Sequence, residues 1–289
     1  MAKSLSYQFK TASIAIKLIA INLVVFLLVN LIAFFLQISP GYLTQWFVLP
    51  DGIFEVIVQP WSFITYAFLH FGFFHLLFNM LLLYWFSNFI LNLFDAKRFL
   101  TVYLLGAIFG GLLYEVAYNI FPVFANSSAY LIGASGAVTA IMIFIATYTP
   151  NTAFRIFTFT IKLWQIAAVL FLLDLVRLPT SGNTGGLLAH IGGALFGYYY
   201  AIQLSKGKDI GLWFTNLITW TEDLFKSRTK KPFKKVHRTT RPTQQRSTTK
   251  ADKSENQKKV DAILDKIGKS GYDSLTKAEK DFLFKAGKD

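Results

Sequence analysis

The chain has no cysteine, which excludes a disulfide framework, a thiol nucleophile and Cys-ligated zinc. It has only four histidines, none of them in a His-Glu-x-x-His pattern, so the helix of a zinc protease is missing. No Gly-x-Gly-Asp motif with a second Asp in an apolar run occurs, which leaves aspartyl chemistry within a membrane unsupported. Acidic residues are scarce, 16 Asp and Glu against 29 Lys and Arg, a net charge of +13. What dominates is apolar: 54% of the 289 residues are hydrophobic, and mean hydropathy is +0.44. Several runs approach the roughly 20 residues that cross about 30 Å of hydrocarbon. The composition is that of a multi-pass membrane protein.

The apolar runs predict six spans at residues 14–37, 61–93, 99–119, 132–148, 161–178 and 185–205. The second is longer than one crossing, so part of it belongs to the interface or the preceding loop. The first follows Lys3, Lys10 and Lys17 but is too long for a secretory h-region and has no small-x-small cleavage site, so it is kept as a span. Lys97 and Arg98 follow the second span and Arg155 and Lys162 the fourth, whereas residues 38–60 contain no basic side chain. Both termini are therefore expected on the cytoplasmic side. Arg177, the one cation near the outer side, follows Asp174 by three residues and is expected to pair with it.

The basic excess belongs to the tail: from Lys206 onward there are 21 Lys and Arg against 11 Asp and Glu, +10 of the total. The predicted organisation is a membrane domain at 1–205, an amphipathic juxtamembrane helix at 206–227, a basic disordered linker at 228–259 and a small helical hairpin at 260–289. Trp213, Phe214, Leu217, Trp220 and Phe225 recur at near-helical spacing in the second of these. The linker has almost no large apolar residues to offset its ordering entropy. In the hairpin, Val260, Ile263, Leu264 and Ile267 restore the period, Thr276 and Glu279 have capping-box spacing, and Gly287 is placed to close the second helix. A polybasic segment next to a span attracts anionic lipids. Nucleic acid is not an expected partner, because no recognition motif accompanies the charge.

Two polar signatures stand out in the apolar runs, Gly133-Ala134-Ser135-Gly136 and Ala189-His190-Ile191-Gly192-Gly193. A serine is a weak nucleophile unless an imidazole takes its proton, and a histidine at membrane depth calls for a functional explanation. Gly133, Gly136, Gly193 and Gly197 are small enough for two helices to approach closely and bring the imidazole to the hydroxyl. A third cluster holds His70, His75 and Asn79. His75 and Asn79 are four apart and share a helical face, where donors could meet the oxyanion of a tetrahedral intermediate. A network of interhelical hydrogen bonds without catalysis is the alternative.

With these residues in order, the sequence resembles the rhomboid intramembrane serine proteases: His-x4-His-x3-Asn at His70, His75 and Asn79, Gly-x-Ser-Gly at Ser135, and Ala-His-x-x-Gly-x-x-x-Gly at His190, Gly193 and Gly197. The resemblance spans roughly residues 14–205. It implies an all-α membrane protein, a six-transmembrane-helix rhomboid bundle with a cytoplasmic C-terminal extension. It also implies Ser135 as nucleophile, His190 as general base, an oxyanion site of His75, Asn79 and the Ser135 N–H, and a dyad without a catalytic Asp. His70 is a possible supporting residue. The chain departs from the family at Trp61-Ser62, where many members have Trp-Arg, and at Leu91-Asn92, where many have an acidic residue. The hairpin is similar to a short helical module appended to some bacterial rhomboids.

The resemblance further implies single-span membrane proteins as substrates, with the fifth span and residues 179–186 as gate and cap; a short turn at 179–186 is the plainer reading. No metal or organic cofactor is required. The competing expectation is a non-catalytic rhomboid-like protein that binds transmembrane helices. A transporter lacks support, since Glu115 and Asp174 are isolated and no inverted repeat is evident. Lys-, Asn- and Phe-rich usage fits a bacterial inner membrane.

Overall fold

A computed structural model describes residues 5–156, 158–225 and 250–286. They form two units, residues 1–227 and 228–289. The first opens with a short helix, α1 (Leu5–Thr11). The long apolar α2 (Ile14–Leu36) follows, with Ser13 as N-cap accepting the Ile16 N–H. A connecting segment then carries α3 (Pro40–Thr44), β1 (Leu49–Pro50), α4 (Ile53–Val58) and α5 (Ser62–Thr65). Next come α6 (Phe73–Leu91), α7 (Ala96–Ile120), β2 (Tyr130–Leu131) and α8 (Ser135–Tyr148). A hairpin of β3 (Ala153–Ile156) and β4 (Phe159–Lys162) leads to α9 (Leu163–Arg177), α10 (Thr184–Ser205) and α11 (Leu212–Phe225).

Among the described residues α2, α6 and α7 are long and apolar enough to cross a membrane, and α8 is a shorter apolar helix of 14 residues. Burial separates the lipid-facing helices from the centre. Leu23, Val24, Leu27, Leu28 and Leu31 of α2 are exposed apolar residues, whereas α8 is buried over most of its length. The core is α7, α8 and α10: α8 packs most extensively on α10, which in turn packs on α7. Small residues make this possible. A Cβ on Gly192 would lie 2.5 Å from the Phe109 carbonyl oxygen, and one on Gly110 2.8 Å from that of Ala189. Close approach of backbones substitutes for the hydrophobic drive that lipid removes.

Several boundaries differ from the sequence expectation. The run 61–93 is broken by a 3-10 turn at Tyr66–Phe68 and by His70 to Gly72, so only α6 is membrane-length. Ile161 and Lys162 belong to the β-hairpin, and the fifth helix begins at Leu163. The β-branched and aromatic residues of 153–162 pair across a tight turn there, which hydropathy alone does not reveal.

The segment before α6 is held by two side-chain to backbone hydrogen bonds. The Trp61 indole N–H donates to Trp46 O at 2.7 Å and the Thr65 hydroxyl to Phe47 O at 2.7 Å. On the opposite side α11 lies against α7. Lys97 Nζ donates to Thr219 Oγ1 at 2.8 Å and pairs with Glu222, while the Thr101 and Thr215 hydroxyls meet at 2.9 Å. Trp213, Leu217 and Trp220 remain exposed, whereas Phe214, expected with them, is buried against the core beside Ile218, so the docked face is both apolar and polar.

The second unit contains α12 (Lys250–Ser270) and α13 (Lys277–Ala286). The helix starts at Lys250, inside the segment read as linker, because its Lys, Ala, Glu and Gln residues are good helix formers without an apolar period. Residues 228–249 of that reading, and Gly287, lie outside the described residues. Thr276 N–H donates to Glu279 Oε2 at 2.7 Å and Glu279 N–H to Thr276 Oγ1 at 3.4 Å, the reciprocal bonds of a capping box.

Candidate active site

Ser135 is the first residue of α8, and three features fix the turn that delivers it. Leu131 pairs with Leu49 across the β1–β2 ladder. The Gly133 N–H donates to Tyr66 O at 2.9 Å, and the Tyr66 hydroxyl to Ala107 O at 2.8 Å. Gly133 itself has φ +111, a conformation that suits glycine. The next N–H, of Ala134, donates to His70 Nε2 at 3.3 Å. The chain then enters α8, where the Val138 N–H is the first to find a partner in the N-cap carbonyl of Ala134. The N–H groups of Ser135, Gly136 and Ala137 are the orphan donors of a helix N-terminus, which attracts negative charge.

The His75 imidazole lies over Gly133, where an added Cβ would be 2.6 Å from Cε1 and 2.7 Å from Nε2. The His70 and His75 rings meet edge to face, centroids 4.9 Å apart. Asn79 stands one turn further along α6, buried, but its amide donates back to His75 O at 2.8 Å. The structure thus gathers His70, His75 and Ser135 at one turn, and one of the two amide N–H groups of Asn79 is taken up within its own helix.

Asn183 caps α10 through the Gly186 N–H at 3.2 Å, and residues 179–184 form a self-bonded turn: Asn183 N–H donates to Ser181 Oγ, and Thr184 Oγ1 to Ser181 O. His190 follows in the second turn of α10. A Cβ on Gly136 would lie 3.2 Å from Ala189 O, and one on Gly193 would overlap Gly136 O. Gly136, Gly193 and Gly197, the last against Ala140, lie where α8 and α10 approach, whereas Gly133 lies against the His75 ring of α6. Among the described residues no hydrogen bond links Ser135 Oγ to His190; such bonds are often long before substrate arrives.

His190 Nδ1 instead lies 2.8 Å from Asp174 Oδ2 on α9. This corrects the expected pairing of Asp174 with Arg177. The carboxylate turns inward to α10 rather than along its own helix. Sequence reasoning passed over the contact because the two residues are 16 apart on separate helices.

A polytopic helical bundle with a serine at one helix N-terminus and a histidine on the facing helix defines the class, a membrane protein with a polar site among its central helices. The Rhomboid domain family matches residues 58–207, more than half of the chain, and the chain belongs to that family. A family of unknown function, DUF6576, matches residues 247–285, which include α12 and most of α13. The chain is 28% identical over 151 residues to the presenilin-associated rhomboid-like protein, mitochondrial, of Homo sapiens, covering 50% of this chain and 38% of that protein. It is 28% identical over 137 residues to presenilin-associated rhomboid-like protein A, mitochondrial, of Danio rerio, covering 46% and 35%. It is 29% identical over 156 residues to RHOMBOID-like protein 12, mitochondrial, of Arabidopsis thaliana, covering 50% and 46%. It spans less than half the length of these relatives.

Proposed function

We propose that this rhomboid-family protein is an intramembrane serine protease that hydrolyses peptide bonds in or near transmembrane helices. One observation carries the reading: Ser135 opens α8, on the backbone packed directly against the turn of α10 that bears His190. Ser135 Oγ attacks the scissile carbonyl carbon as its proton passes to His190. The oxyanion meets the Ser135 N–H and His75. Collapse breaks the C–N bond, and His190 returns the proton to the leaving amine. Water, activated by the same imidazole, hydrolyses the acyl-enzyme. In this reading Gly133, Gly136, Gly193 and Gly197 serve catalysis through packing, His70 holds the turn, and Asn79 assists with the amide N–H not engaged by His75 O.

Substrates are single-span proteins whose helices are weakened by Gly, Pro or small residues, because a helical carbonyl is already bonded. The gate is α9, in which Leu163 and Ala167 are the buried residues, so displacing it sacrifices little packing. The basic loops support an orientation with both termini on the cytoplasmic side, which in this reading is that of a bacterial inner membrane, with the basic tail attracted to anionic lipid.

The second reading, a non-catalytic protein that binds transmembrane helices, is favoured by the lack of a Ser135–His190 hydrogen bond. A fluorophosphonate separates the two, since it reacts only with an activated hydroxyl. Labelling abolished by Ser135→Ala and by His190→Ala supports the protease; an unlabelled folded wild type supports the helix-binding reading.

A further inference from the structure

Asp174 stands in the last turn of α9, where the helix dipole presents its negative end and disfavours a carboxylate. It forms no ion pair with Arg177, and its neighbours Leu172, Leu173 and Leu175 are apolar and exposed. An acidic residue so placed weakens its own helix and calls for a functional account. Its partner is His190, whose neighbour Ala189 packs its backbone carbonyl against Gly136 of Ser135's helix. The Asp174 and His190 side chains are withdrawn from solvent to 17% and 20% exposure, with Oδ2 and Nδ1 2.8 Å apart.

A carboxylate only accepts hydrogen bonds, so this contact places the imidazole proton on Nδ1 and leaves Nε2 with its lone pair. That tautomer is the one a serine hydroxyl requires, and holding it is the task of the third member of a Ser-His-Asp set. We propose that Asp174 is a positioning residue that fixes the ring and tautomer of His190, so that Nε2 serves as base to Ser135. The site is then a triad rather than the dyad that the family resemblance implies. The inference rests on the protease reading.

Proton accounting is complete without Asp174 taking part as an acid. The Ser135 proton moves to Nε2 as the Oγ–C bond forms. The imidazolium keeps its Nδ1–H on Asp174, whose negative charge offsets the new positive one. The Nε2 proton then leaves with the amine as the C–N bond breaks.

Three measurements on the full chain test this. In wild-type protein with 15N-labelled histidine, assigned by loss of signal in a folded His190→Gln, the His190 shifts are expected to report Nδ1–H; an Nε2–H tautomer overturns the proposal. Asp174→Asn and Asp174→Ala are expected to lower kcat and the fluorophosphonate labelling rate together, by about tenfold or more, with KM little changed, and Asp174→Glu to recover part of the loss. Labelling at the wild-type rate in Asp174→Asn overturns the proposal. Faster cleavage overturns it too, because Asp174 would then be a latch on the α9 gate. A wild type that neither cleaves substrate nor labels sinks the protease reading itself, and Asp174 with it; an active wild type with an indifferent Asp174→Asn sinks Asp174 alone.

Discussion

His70 Nε2 accepts the N–H of Ala134 at 3.3 Å, so a side chain from the segment before α6 holds the residue that immediately precedes Ser135. Removing that acceptor leaves a buried N–H unpaired, at a cost of about 1–3 kcal/mol. His70→Ala is expected to slow substrate cleavage by about tenfold or more, and His70→Gln, whose amide oxygen can accept, to retain part of the rate. Initial rates on a single-span substrate check this. Equal activity in both variants and wild type would count against a role for His70 at the turn.

The α8–α10 seam makes a second prediction. A Cβ on Gly193 meets Gly136 O, whereas one on Gly182 meets nothing within 4 Å. Gly193→Ala is expected to destabilise the domain by about 1–3 kcal/mol through overpacking and to lower activity, while Gly182→Ala leaves both nearly unchanged. Thermal unfolding in detergent, run beside the cleavage assay, gives the comparison.

Asp209, between α10 and α11, makes stability depend on pH. Burial by itself would push its carboxyl upward, but hydrogen bonds from Tyr200 and Arg98 outweigh that and hold it below the usual carboxylate range. A depressed folded-state pKa stabilises above the unfolded value, about 3.9, and the contribution is lost as pH falls below it. The wild-type melting temperature is expected to drop on acidification through that range. Asp209→Asn should start lower at neutral pH, by about 1–3 kcal/mol, and show a flatter acid dependence. Melting curves between neutral and strongly acidic pH decide it.

Much of this arrangement was legible in the residues. Hydropathy located α2, α6 and α7 because each is a long run whose outward side chains need no polar partner in lipid. The Gly133 and Gly193 signatures pointed to a close α8–α10 seam because only small residues permit such an approach. Other features depended on contacts that no local pattern encodes. The β3–β4 hairpin lay hidden in an apolar stretch assigned partly to a span at Ile161. Asp174 had Arg177 at helical spacing, and the sequence alone could not reveal that α9 turns it toward His190. His70 was a minor candidate until the fold brought it against Ala134, while Asn79, equally prominent in the motif, gives one of its two amide N–H groups to His75 O.

The most direct measurement of the central claim is cleavage of a generic single-span substrate in liposomes by the full-length wild type, Ser135→Ala and His190→Ala. The account predicts product from the wild type and none above background from either variant. Product from Ser135→Ala at the wild-type rate, or none from a folded wild type that still binds the substrate helix, would contradict it.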